Sequence, residues 1–170
     1  GQLRLKWWHD AAERLGTGRV PNHPVVLAVD RVFSEYQLDP ALLLSLVQAY
    51  ADDLSPNRPD RLVDLFTHFD RTLGDLNNLV IRVVGGRSSD EAMKAGYHVA
   101  RVWGLSQLLR NLPAVVSRGG IYIPEEICNR NSVSLTDIIR INSTEPLPDG
   151  VIRVIRAVAE IAEGMAKEFS

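Results

Sequence analysis

Apolar residues recur along this chain at three- and four-residue intervals, a spacing that predicts helices almost throughout. Leu3, Trp7, Ala11 and Leu15 lie four apart on one side of a first helix, which Gly16 and Gly18 stop. Asn22 and Pro24 restart the chain, and Val25, Val26, Ala28, Val29, Val32 and Phe33 predict a second helix. Asp39-Pro40 sets an acceptor at a cap and a proline in the first turn, so a third helix runs from there to about Leu54. After a turn at Pro56, Asn57 and Pro59, one long apolar-periodic segment opens at Asp60, reaches about Val84 and ends at Gly85-Gly86. Ser88 with Glu91 fits a capping box for the next helix, roughly Ser89 to Leu112, where Pro113 interrupts the pattern. Residues 117–120 read as a turn, and Ile121 to Ile123 as an extended piece, because a residue before proline avoids the helical region. Ser134 with Asp137 predicts the cap of a short helix. A proline-containing loop from Asn142 to Gly150 leads into a last amphipathic helix, Val151 to Phe169. With no repeat and no low-complexity tract, the expectation is one all-α domain over residues 1–170.

Composition narrows this picture. The chain has 170 residues, 45% hydrophobic and 24% charged, enough to bury a core and unlike a disordered segment. A net charge of -2 argues against a dedicated nucleic-acid binder. Cys128, the single cysteine, excludes an internal disulfide framework and a cysteine-based metal cluster. No apolar run approaches the roughly 18–20 residues that span a membrane. The first residue is Gly rather than Met, so a segment removed upstream or a longer parent chain is expected, and compartment is not legible at this end.

Searched for chemistry, the sequence offers little. His9, His23, His68 and His98 are far apart, and none stands in a short metal-binding spacing. There is no glycine-rich phosphate loop, and Ser106, Ser117 and Cys128 have no base at a recognisable distance. Asp52-Asp53 are adjacent and point about 100° apart on a helix. Asp60 and Asp64 share a face, but Asp60 reads first as a helix cap. Asp70 and Asp75, with Asn77 and Asn78, suggest a solvated or partly buried polar face. Gly96, Ala100 and Gly104 form a small-residue stripe suited to close helix packing. Trp7, Trp8 and Trp103 are packing residues first and candidate partner anchors second.

The informative stretch runs from Gly104 to Pro124: Gly-Leu-Ser-Gln-Leu-Leu-Arg-Asn-Leu-Pro, then Ala-Val-Val-Ser-Arg-Gly-Gly and Ile-Tyr-Ile-Pro. It resembles the second acidic motif of the squalene/phytoene synthase family, Asn-Ile-Leu-Arg-Asp-x-x-x-Asp, with its succeeding basic turn and Tyr-x-Pro. Weaker similarity extends back to the Trp-Trp start and to His23-Pro24-Val25. The resemblance implies an all-helical isoprenoid-synthase bundle, whose enzymes condense allylic diphosphates over magnesium held by carboxylates on facing helices. It also implies that the family's first acidic motif would precede Gly1, making this a shortened version of the bundle.

Matched position by position, the resemblance is to a disabled site. Gln107 stands where the family has Asn, Arg110 matches, Asn111 replaces the first aspartate and Val115 the second. Arg118 and Gly119 match the basic turn, and Tyr122 and Pro124 match the Tyr-x-Pro. Gly120 replaces an arginine, and Asp53-Leu54 resembles a family Asp-Leu pair. Magnesium seeks hard, charged oxygens; Asn111 offers one neutral carbonyl and Val115 none. No catalytic residue, metal or cofactor is therefore expected, and Arg110 and Arg118 remain as candidate phosphate or head-group contacts.

Within the family the pattern is similar to the non-catalytic branch typified by complex I assembly factor 6 and its alpha-proteobacterial homologues. That similarity implies a binding or assembly module, with respiratory-complex subunits or assembly factors as partners. It also implies location in the mitochondrion, on the matrix side and peripheral to the inner membrane, or in the bacterial cytoplasm. The alternatives are a magnesium-dependent prenyl diphosphate synthase with an altered metal site, and a protein that binds an isoprenoid or other lipid without turning it over.

Overall fold

A computed structural model describes residues 1–54, 58–85, 89–116, 122–139 and 146–168. Among these, the chain forms nine α-helices and one π-helical turn: α1 (Gln2–Ala12), α2 (Pro24–Glu35), α3 (Pro40–Asp52), α4 (Leu62–Phe69), the π turn (Asp70–Gly74), α5 (Asp75–Gly85), α6 (Asp90–Val116), α7 (Glu125–Arg130), α8 (Leu135–Ile139) and α9 (Asp149–Lys167). They gather into two compact units, 1–55 with 70–97 and 56–69 with 98–170.

The first unit is built by α1, α2, α3, the π turn, α5 and the opening turns of α6. Gly16 and Gly18, both with φ above +70°, reverse the chain after α1 in a conformation that a side chain disfavours. The Gly16 N–H donates to Asp30 Oδ1 at 2.8 Å and ties the reversal to α2. Asp39 caps α3 as expected, its Oδ1 accepting from the Ala41 N–H at 2.9 Å, with Pro40 opening the helix. The core joins Ala12, Leu15, Phe33, Leu38 and Leu79. Helix α5 presents Leu79 to this core, yet its neighbours on the buried side are polar: Asp75 is 6% exposed and Asn78 0%. Leu76, Val80 and Val84, one helical row, face solvent.

The second unit packs α4, most of α6, α7, α8 and α9 around Leu65, Phe69, Leu105, Ile123, Ile138, Val151, Val154 and Val158. Ser134 and Asp137 do cap α8: the Ser134 hydroxyl accepts from the Asp137 N–H, and the Asp137 carboxylate accepts from both the hydroxyl and N–H of Ser134. Cys128 is buried in this core, and burial holds its thiol above the ordinary range despite the opposing Arg58 guanidinium. The native thiol should therefore react with Ellman's reagent at pH 8 much more slowly than in denaturant. Equal rates in the two conditions would contradict the burial.

Four details differ from the expected pattern. The segment from Asp60 to Val84 is not one helix, because the π turn at Asp70–Gly74 separates α4 from α5. Helix α6 continues through Pro113 to Val116. An interior proline costs about 3 kcal/mol, but the last turn buries Leu112 and Val116, each 4% exposed, and each such burial returns roughly 1.5–3 kcal/mol. The start of α4 is capped by a distant residue rather than by Asp60: the Leu62 N–H donates to Glu126 Oε1 at 2.6 Å, and the Arg61 N–H to Asp64. The α6 cap comes from Ser89, whose hydroxyl accepts from the Ala92 N–H at 3.3 Å, while Ser88 lies outside the described residues.

Candidate functional site

The row matched to the family's second acidic motif lies on α6 in the second unit. Gln107, Asn111 and Val115 are spaced by four and share one side of the helix. Asn111 is exposed, and its amide donates to Gln107 Oε1 at 3.4 Å. Val115 is half-buried, and Arg110, next to the row, is exposed. The row therefore offers two neutral amides, one isopropyl group and no anion. A magnesium ion bridging to diphosphate takes hard, charged oxygen ligands, and this donor set does not fit one.

Arg118 and Gly119 lie outside the described residues. Tyr122 is half-buried and stacks on His68 with ring centroids 6.3 Å apart, while Pro124 is buried and precedes α7. The chain around them docks on the approach to α4. Arg58 Nε donates to the Ile123 carbonyl at 2.9 Å, and the N–H groups of Glu125 and Glu126 donate to the carbonyls of Pro59 and Asp60. The Tyr-x-Pro stretch thus holds the second unit's backbone in register.

In the first unit, Asp53 is the residue that closes α3. Its neighbour Asp52 forms an ion pair with Arg71 of the π turn at 2.9 Å and accepts from the Gln48 amide at 2.9 Å. Asp75 is held by the Tyr97 hydroxyl at 2.8 Å. Burial, and then that bond to the carboxylate, raises the Tyr97 phenol above its usual range. Asn78 sits beside the phenol, with neither amide atom in a hydrogen bond of ordinary geometry, and Arg82 Nε is likewise buried without a partner. The expected polar face of Asp75 and Asn78 is a buried polar cluster. The small-residue stripe serves packing within each unit: a Cβ at Gly96 would meet Asn78 and Ile81, and one at Gly104 would meet the Phe69 ring.

Two groups of side chains depart from expectation. Trp103 is 55% exposed and Trp7 37%, Trp7 lying against Trp8 and His23, so packing does not absorb these indoles. His9 does stand in a metal-ligand spacing: with Asp10 and Glu13 its ligand atoms all lie within 4.8 Å of one another. The signal is present in the sequence as His-Asp-x-x-Glu, where the glutamate stands four residues after the histidine and three after the aspartate and shares a helix face with each.

The model of the squalene/phytoene synthase family matches residues 1–170, the whole chain. The chain belongs to the squalene/phytoene synthase family. Among relatives, the mouse protein named NADH dehydrogenase (ubiquinone) complex I, assembly factor 6 is 24% identical over 99% of this chain and 50% of its own length. The human protein of that name has the same identity and coverage. The homologue from Drosophila melanogaster is 26% identical, over 99% of this chain and 51% of its own. The chain thus spans about half the length of these relatives. Among solved structures, squalene synthase HpnC from Alicyclobacillus acidocaldarius superposes with a TM-score of 0.86 at 19% identity, covering 98% of this chain and 61% of that one. A dehydrosqualene synthase with bound ligand gives 0.84 at 18% identity, with 99% and 58% covered. At these identities the two structures establish the all-α fold of the family, in a chain shorter than either.

Proposed function

We propose that this chain acts as a non-catalytic binding or assembly module, in the biogenesis of the respiratory NADH dehydrogenase. The carrying observation is the neutral row at Gln107, Asn111 and Val115. Without anions there, a diphosphate leaving group gains no concentrated metal charge, and preorganised charge of that kind is commonly the largest single term in catalysis. The mouse, human and fly relatives, all named for complex I assembly, match nearly the full chain and support the assembly reading. Exposed apolar side chains supply contact area for a protein: Leu76, Val80 and Val84 on α5 in one unit, and Val99 and Trp103 on α6 in the other. No helix among the described residues is long and apolar enough to cross a membrane. Work on the complex would place the chain on the matrix side of the mitochondrial inner membrane, or in the cytoplasm of a bacterial host.

Two measurements test this. Purified full-length protein with magnesium should release no diphosphate from farnesyl or geranylgeranyl diphosphate above the enzyme-free rate. Affinity purification from the native source should recover subunits or assembly factors of the respiratory complex. Magnesium-dependent turnover would overturn the non-catalytic reading. Recovery of an isoprenoid or lipid, with no respiratory-complex protein, would overturn the assembly reading.

A further inference from the structure

We propose that the face of α1 along its groove with α3 is a binding site for a late first-row divalent metal of the zinc type, with His9, Asp10 and Glu13 as its ligands. The Nδ1 atom of His9 lies 3.9 Å from Glu13 Oε1, and the ligand atoms of all three side chains lie within 4.8 Å of one another. Tetrahedral bonds of about 2.0–2.2 Å place neighbouring ligand atoms roughly 3.3–3.6 Å apart, so rotations of these surface side chains are needed to close the set. The spacing is helical: Glu13 follows His9 by four residues and Asp10 by three, so it shares a helix face with each.

The three side chains line a groove of about 540 Å³ between α1 and α3, within the first unit, so an ion here would keep open positions for water. Gln48 lines the opposite wall, and its amide N–H is committed to Asp52, which leaves its carbonyl oxygen as the available acceptor. Lys6 also lines the groove, and its positive charge opposes any cation held by charge alone. An imidazole nitrogen with two carboxylates overcomes that through coordinate bonds, and this donor set suits zinc, cobalt or nickel better than magnesium or calcium. The site is separate in the chain from the neutral row on α6, and nothing in the assembly reading requires it.

Titration of untagged full-length protein with zinc chloride, in a buffer that does not bind metal, tests the site by calorimetry and by thermal unfolding. The expected result is saturable binding of a single equivalent that raises Tm and is not displaced by excess magnesium. His9→Ala and Glu13→Gln should each weaken binding by at least about tenfold, as losing a ligand costs no less than losing its outer support. His23→Ala, which removes a neighbouring imidazole, should leave it unchanged. Circular dichroism of each variant confirms that α1 is intact. Absence of saturable zinc binding overturns the proposal, as does unchanged affinity in a folded His9→Ala protein.

Discussion

Replacing Gly74 with alanine is expected to lower the free energy of unfolding by about 2–3 kcal/mol. Gly74 closes the π turn, and a Cβ there would collide with Tyr97 Cδ1 and sit 2.7 Å from Cε1. Real side chains do not approach so closely, so either the ring or the turn must move. The ring is not free to swing, because its hydroxyl is bonded to the buried Asp75 carboxylate. Moving it breaks that bond and leaves a buried carboxylate short of a donor, at a cost of about 1–3 kcal/mol. Moving the turn disturbs the Arg71–Asp52 ion pair instead. Alanine stiffens the unfolded chain, which returns only about 0.4–1 kcal/mol. Urea titration would show the loss directly, and Tm should fall by roughly 4–12 °C. Combining Gly74→Ala with Tyr97→Ala should cost less than the sum of the two changes, since the second removes the obstruction. A Gly74→Ala protein as stable as the parent would refute the close packing of the π turn on α6.

Leu105→Ala should destabilise the second unit by about 2–5 kcal/mol. Leu105 is fully buried and belongs to the cluster with Leu65, Phe69, Ile123 and Ile138. Collapse around the missing side chain is resisted next door, where the Phe69 ring already lies against Gly104. The matched control is two residues away: Trp103 is larger but 55% exposed, and Trp103→Ala should change stability by less than about 0.5 kcal/mol. Chemical denaturation of both variants compares them. If the tryptophan change costs more, α6 presents a different face to the core. Under the assembly reading, the same Trp103 change should reduce partner recovery while sparing the fold.

The helical character of the chain and its stops can be read in sequence because they depend on neighbours within a turn or two. Asp39-Pro40 caps α3 through an atom two residues away, Ser134 and Asp137 cap α8 across three, and Gly16 and Gly18 mark a reversal that needs positive φ. That Asn111 and Val115 place no anionic oxygen on α6 is equally legible, since it rests on what those side chains can donate and on their spacing along one helix. His9, Asp10 and Glu13 are legible by the same logic, but only when a histidine is set against its adjacent carboxylates; spacing between histidines alone misses them.

Tertiary structure decided the rest. Whether Pro113 ends α6 depended on what Leu112 and Val116 could bury, and that answer lies in α7, α8 and α9. The cap of α4 comes from Glu126, 64 residues away in the chain, and no local pattern announces it. The break at Asp70–Gly74 places Asp75 under the Tyr97 hydroxyl, 22 residues distant, a pairing that only the folded unit creates. Local periodicity determined which segments are helical. Burial, which couples residues far apart in sequence, determined where those helices break, what caps them and which polar groups they enclose.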